Sequence, residues 1–242
     1  MIVLFTDFGL TGPYVGEIKA VLAQRAPGVP VIDLMHDAPM FDARAAAYLL
    51  ATLAGSFPEN SIFVCVVDPG VGGDRAPVIV EADSKRFIGP DNGLLAILTR
   101  RAQKATAQRI LWRPDRLSAS FHGRDLFSPV AAMLAKGEDV ACEALPKASL
   151  DRIDWPDELT EIVYIDSFGN AMTGIRAATL HNEAVLESAG KRFSRAQTFS
   201  DVAPGAAFWY ENSSGLAEIA VNGGRADSVG LARGMPIAIL KS

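Results

Sequence analysis

The chain has 242 residues, 49% of them hydrophobic and 21% charged, with a formal net charge of -5. That length buries a sizeable core in one large domain or two small ones, and the acidic balance, with basic residues single or in short pairs such as Arg100-Arg101, excludes a basic face for nucleic acid. Two distant cysteines, Cys65 and Cys142, exclude a disulfide framework and a CxxC metal pattern, and no stretch approaches the ~20 apolar residues of a membrane span, so a cytoplasmic protein is expected.

The first part of the chain alternates strand and helix. Residues 2–9, IVLFTDFG, read as a buried strand, and residues 13–27 as a helix with Pro13 in its first turn. VPVIDLMH (29–36) is a second strand, and the alanine-rich stretch 42–58 a second helix. SIFVCVVDPG (61–70) is a third strand, continuously apolar as expected when both faces are covered. PVIVEAD and RFIGPDNG read as shorter strands, followed by helices at LLAILTRRA and at SPVAAMLAKG (128–137). This alternation predicts a mostly parallel sheet with helices on both sides, making residues 1–150 an α/β domain. The polar, Pro-containing stretch 148–158 reads as a linker. Beyond it, over 158–242, short strand-like runs broken by Gly, Asn and Ser predict a small antiparallel barrel or sandwich.

Ligands of open parallel sheets bind beyond the carboxyl ends of the strands. Asp7 ends the first strand, His36 and Asp37 the second, and Asp68 the third, while Asp91 and Asn92 follow a later one. Any one of these reads as an ordinary turn residue. Four strand ends together point to a ligand site on one rim, with the glycines of VDPGVGG letting backbone approach a ligand closely. The loops lack GK[ST] and GxGxxG, which argues against a nucleoside triphosphate or a dinucleotide, and TDFG stands without the remaining kinase signatures. His122 lies in SFHGRDLFSP beside an aromatic and a Gly-Arg-Asp turn, a setting for a catalytic histidine that His36 and His181 lack. A metal site from Asp and His has no local HxxxH or HxH spacing behind it, and Cys65 lies inside its strand as a buried thiol. In the second half, Phe168 with Asn170 suits a purine, which stacks and takes edge hydrogen bonds; a Phe-Gly-Asn hairpin turn is the structural alternative.

TDFG, VVDPGVGG followed by Arg75, GPDNGLL, FHGRD, DSFGN and NSSGLAEIAVNGG occur in that order and span nearly the whole chain. Together they resemble the S-adenosyl-L-methionine hydroxide adenosyltransferase family, relatives of the fluorinating and chlorinating adenosyltransferases. The resemblance implies an α/β N-terminal domain, a C-terminal β-barrel, and a homotrimer with active sites between the N-domain of one subunit and the C-domain of the next. It implies attack of water or hydroxide at ribose C5′ of S-adenosyl-L-methionine, releasing adenosine and methionine, with no cofactor and no metal. Asp68, Arg75 and His122 match the residues that surround the water. Asp7 matches the carboxylate on the ribose hydroxyls, and Phe41 stands in for an aromatic near the ribose. Val71 and Gly123 carry over as further substrate contacts. Asp166 and Ser213 match contacts to the methionine part; Phe168, Asn170, Asn222 and Gly223 match the adenine surroundings. Ser214 stands where the halogenating relatives carry Arg. Asp68, His122 and Gly123 replace an aromatic, an aromatic and a Ser of those relatives, which places the chain with the water users. The competing expectations are a halide-dependent adenosyltransferase, a non-catalytic sensor of adenosine or S-adenosylmethionine, and a metal-dependent hydrolase using Asp7, Asp68 and His122.

Overall fold

A computed structural model describes residues 1–240. The chain divides into two compact units, Met1–Arg152 and Ile153–Ser242. The polar stretch read as a linker is tied to the first unit as far as Arg152, whose guanidinium donates to Asp91 at 2.8 Å, while Arg100 donates to Asp151 at 2.7 Å.

In the first unit β1 (Ile2–Thr6), β2 (Val31–Met35), β3 (Ile62–Val66), β4 (Pro77–Ala82), β5 (Lys85–Pro90), β6 (Ala105–Ile110) and β7 (Cys142–Leu145) form one sheet, in the order β2-β1-β3-β5-β4-β6-β7. The expectation of a mostly parallel sheet is corrected here. β2, β1, β3 and β5 run parallel, but β4 is antiparallel to β5 and to β6, and β6 to β7. The cause is local. Asp83 and Ser84 both adopt positive φ, 45° and 64°, and so close a two-residue turn that forces β4 and β5 into a hairpin. No glycine announces that turn. The strands β6 and β7 have few buried positions, so they carry little of the apolar signal that marks β1 and β3.

The helices are α1 (Tyr14–Arg25), α2 (Ala43–Leu53), α3 (Ala96–Arg101) and α4 (Ser128–Ala135). Strand alternation sends Ile2, Leu4, Ile62 and Val64 to one face, where they pack with Ile18 and Leu22 of α1 and Val130 and Ala131 of α4. The intervening Val3, Phe5, Phe63 and Cys65 are equally buried and face the other way, on the side where Phe63 stacks on Phe87. Covering both faces explains the continuous apolar runs. Asp42 caps α2, its side chain accepting from the Ala45 N–H at 2.9 Å.

The second unit consists of antiparallel strands in two sheets. β8 (Leu159–Ile165), β9 (Ala171–Arg176), β12 (Ala207–Glu211) and β13 (Leu216–Val221) form one, in the order β12-β13-β9-β8; β10 (Val185–Ser188), β11 (Lys191–Phe193) and β14 (Ala238–Leu240) form the other. Isolated bridges between Glu161 and Pro236 and between Arg195 and Trp209 link them. Trp209 is wholly buried in their shared core and its indole N–H donates to the Ala184 carbonyl at 2.8 Å.

Candidate active site

The carboxyl ends of β1 and β3 open into a cavity of about 600 Å³ lined by Asp7, Phe41, Asp68, Val71, His122 and Gly123, among others. Asp68 lies two residues beyond β3, and the loop that follows folds back so that Arg75 meets it. The Arg75 guanidinium donates to both carboxylate oxygens of Asp68, through Nε at 3.1 Å and through Nη2. The pair is shielded, with side chains 9% and 3% exposed. The same Nη2 lies 2.8 Å from Nδ1 of His122. Arginine has no lone pair to offer, so His122 accepts at Nδ1 and carries its ring proton on Nε2. Burial, and then the Arg75 charge, hold the imidazole below its ordinary pKa, which agrees with a neutral ring.

His122 is held by its own loop. Arg124 donates to Asp125 at 2.6 Å and to Glu17 of α1 at 2.6 Å, and its guanidinium sits 5.0 Å from the centre of the Phe121 ring. Asp125 in turn accepts from the Ser118 N–H at 2.9 Å. A π-turn over Gly123–Phe127 runs directly into α4, and Ser128 Oγ donates back to the Gly123 carbonyl at 2.7 Å. Gly123 lies so close to Phe8 and Ile18 that an added Cβ would stand 3.2 and 3.3 Å from them. Phe8, Tyr14 and Phe121 form an aromatic wall beside it, Phe121 meeting each of the other two edge-to-face.

Asp7 accepts from the Phe41 N–H at 3.2 Å, and Phe41 itself is 72% exposed with φ of 59°. Burial raises the Asp7 pKa against the opposing pull of that N–H. Two of the other strand-end clusters are structural. His36 is buried, bonded through Nδ1 to the Thr6 hydroxyl at 2.8 Å with Asp33 at 3.1 Å from Nε2, and so ties β1 to β2. Asn92 donates to the Val67 carbonyl at 2.8 Å and Asp91 pairs with Arg152.

The second unit has its own pocket, about 580 Å³, lined by Asp166, Phe168, Asn170, Ser213 and Gly223 of the expected residues. Phe168 is 76% exposed. Asn170 is buried and bonded to Asp166 twice, through its backbone N–H at 2.8 Å and its side-chain Nδ2 at 3.3 Å. Two expected residues do not line the pocket. Asn222 turns its amide to the Val202 carbonyl at 2.8 Å, and Ser214 directs its N–H to the Asn212 side chain at 3.0 Å. Seven lining residues escaped the sequence reading, the polar or aromatic Phe199, Tyr210, Asn212 and Glu218 and also Met172, Val221 and Gly224. Glu218 had one available signal, being the only charged residue within the apolar run LAEIAV.

No set of three or more His, Cys, Asp or Glu side chains placed to hold a metal ion occurs among the described residues. Nor, among them, is any helix long and apolar enough to cross a membrane.

Residues 2–143 match the family described as SAM hydroxide adenosyltransferase N-terminal domain, and residues 160–238 match the corresponding C-terminal domain. An (R)-S-adenosyl-L-methionine hydrolase of Thermus thermophilus is 39% identical, over 97% of each chain. The crystal structure of an uncharacterized conserved protein from Thermotoga maritima superposes with a TM-score of 0.84 at 31% identity, covering all of both chains. A fluorinase of Nocardia brasiliensis is 22% identical over 57% of this chain and 54% of its own.

Proposed function

Since the chain belongs to the SAM hydroxide adenosyltransferase family, we propose that it is an S-adenosyl-L-methionine hydrolase that forms adenosine and L-methionine by attack of water at ribose C5′. The observation that carries this reading is the hydrogen-bonded Asp68–Arg75–His122 cluster at the end of β3, of which Asp68 and His122 line the cavity. The sulfonium leaves as a neutral thioether, so the leaving group needs no acid and the reaction needs no cofactor. The difficulty lies in the nucleophile. In the proposed step the water oxygen bonds to C5′, the C5′–S bond breaks with its electron pair going to sulfur, and a water proton passes to a base.

The hydrogen bonds favour Asp68 as that base. His122 Nδ1 is occupied by Arg75 and its Nε2 bears a proton, so the ring offers a donor and not an acceptor. Each Asp68 oxygen keeps a free lone pair after accepting from Arg75. Arg75 supplies fixed positive charge where hydroxide character develops, and Asp7, which lines the same cavity, accepts from the ribose hydroxyls in this reading. The pH dependence follows. Protonating His122 would set an N–H against the Arg75 N–H, so the neutral ring is the active form. Its lowered pKa places the loss on the acid side, and kcat should hold as pH falls through the ordinary imidazole value of about 6.5 and decline only below it. A pH–rate profile with its acid midpoint at or above that value contradicts the neutral His122.

We further propose that the chain works as a homotrimer, with the first unit of one subunit supplying the reacting end and the second unit of another holding the rest of the substrate, and that it is cytoplasmic. Sedimentation equilibrium checks the trimer. The chemistry is tested by incubation with S-adenosyl-L-methionine in ¹⁸O-water containing chloride, followed by mass spectrometry of the nucleosides. Adenosine carrying one heavy oxygen is the expected product. 5′-Chloroadenosine would support the halide reading that the fluorinase likeness keeps in view, and bound but unchanged substrate would support a sensor.

A further inference from the structure

The loop that carries Asp68 and Arg75 leaves β3 at Val67 and enters β4 after Ala76. Two tight turns fold it back, with the Val71 N–H on the Asp68 carbonyl at 3.2 Å and the Gly73 N–H on the Gly70 carbonyl at 3.0 Å. Both ends of this loop are held from one place. Asn92 Nδ2 donates to the Val67 carbonyl at 2.8 Å, and the backbone N–H of Asp91 donates to the Ala76 carbonyl at 2.8 Å. Two consecutive residues can do this because β5, which leads into them, lies between β3 and β4 in the sheet.

The sequence explains why a side chain is needed on the β3 side. The Arg86 N–H donates to the Ser61 carbonyl, so the two-residue strand period puts the following donors to β3 at Ile88, Pro90 and Asn92. Proline has no N–H, and the pairing of β3 with β5 ends at Val64 and Ile88. Val67 is wholly buried, and its carbonyl needs a partner that the ladder no longer supplies. The Asn92 amide is that partner. Its Oδ1 accepts from the Leu94 N–H at 3.1 Å, which fixes the amide's orientation, and the neighbouring Asp91 carboxylate is pinned by Arg152 at 2.8 Å. Neither Asp91 nor Asn92 lines the cavity that holds Asp68 and His122.

We infer that Asn92 is a positioning residue for the reaction: by holding the Val67 carbonyl it orients the peptide that carries Asp68, and so keeps that carboxylate where it meets both Arg75 and the attacking water. The inference rests on the reading of Asp68 as the base. Asn92→Asp keeps the shape of the side chain and its acceptor for Leu94. It sets a carboxylate oxygen against the Val67 carbonyl oxygen, two acceptors with no proton between them. The peptide must turn away, and Asp68 turns with it.

The test is steady-state hydrolysis of S-adenosyl-L-methionine, run well below the Tm of each variant, by the wild type, Asn92→Asp, Asp68→Asn and the double variant. Asn92→Asp should lower kcat by about 10- to 100-fold with KM held within about threefold, as expected of a base moved by up to about 1 Å. In the Asp68→Asn background the same change should cost less than about threefold, because the group it positions is already gone. Ser61→Ala is the control. It removes a side-chain donor to a backbone carbonyl, that of Pro58 at 2.7 Å, beside the far end of β3, and should leave kcat unchanged. Wild-type kcat in Asn92→Asp overturns the inference, as does an equal fold-loss with and without the Asp68 carboxylate or an equal loss in Ser61→Ala; each leaves the proposed reaction standing. Wild-type kcat in Asp68→Asn overturns the reading of Asp68 as base, and the role of Asn92 falls with it. Should Asn92→Asp not fold, Asn92→Ala is held to the same criteria, since it deletes the donor without setting a charge against the carbonyl.

Discussion

Asp68→Asn is expected to lower kcat for S-adenosyl-L-methionine hydrolysis by about 10³-fold, within the range that general base catalysis supplies. The substitution keeps the size of the side chain and keeps one oxygen for Arg75. It removes the negative charge and places an N–H₂ where the second oxygen now accepts from Nη2. Since Asp68 is the free acceptor of the cluster, no neighbour replaces it as base. His122→Asn should cost far less, because an Asn oxygen can accept from Arg75 and its nitrogen can donate as Nε2 does now. His122→Ala lacks both groups and should fall between the two. This ordering of the three variants assigns the proton. If His122→Asn proves as damaging as Asp68→Asn, the base is the histidine and the tautomer read from Arg75 is wrong. Stability needs a parallel measurement. Arg75 is 9% exposed, and stripping a shielded charge of its partner typically costs about 3–5 kcal/mol, so Tm should drop in Asp68→Asn. A variant that keeps a cooperative melt and near-normal KM while losing kcat separates the chemical loss from unfolding.

Asp68 and His122 could be singled out because each sits in a short motif, one at a strand end and one at a helix start, whereas Arg75 entered through the resemblance; hydrogen bonds join the three side chains. The same rule over-reached at Asp91 and Asn92, which also follow a strand but satisfy Arg152 and the Val67 carbonyl. A sequence shows that a carboxylate ends a strand; it does not show which cation will reach it from sixty residues away. Glu218 failed for the opposite reason. One acid in an apolar strand reads as a solvent-facing position, and only the fold reveals that Tyr210 and Asn212 converge on it. Sheet direction was lost at Asp83-Ser84, since left-handed φ at two non-glycine residues leaves no mark in composition. The apolar runs of β1 and β3 were plain because burial on both faces suppresses polar residues altogether.

Gly72→Ala should abolish most activity without touching a reacting group. Gly72 sits between Asp68 and Arg75 with φ of 81°, and a Cβ there would stand 2.4 Å from the Ala119 carbonyl oxygen. That carbonyl belongs to the loop that carries His122. The contact is backbone on both sides, so no flexible side chain can move aside. The left-handed conformation alone costs an L-residue about 1–2 kcal/mol, and relief of the clash must push the two loops apart. Arg75 spans them, bonded to Asp68 on one side and to His122 on the other, so separation breaks the cluster at its centre. A misplacement of about 1 Å can cost on the order of 10²-fold in rate, and a loss of that size in kcat is expected, with a lowered Tm. Gly70→Ala is the internal contrast for stability. A Cβ at Gly70 meets nothing within 4 Å and its φ is not positive, so its Tm should stay close to wild type. Equal Tm values for the two variants would mean that the close approach of Gly72 to Ala119 does not hold the loops together, and that the Asp68–Arg75–His122 cluster is maintained by its own hydrogen bonds.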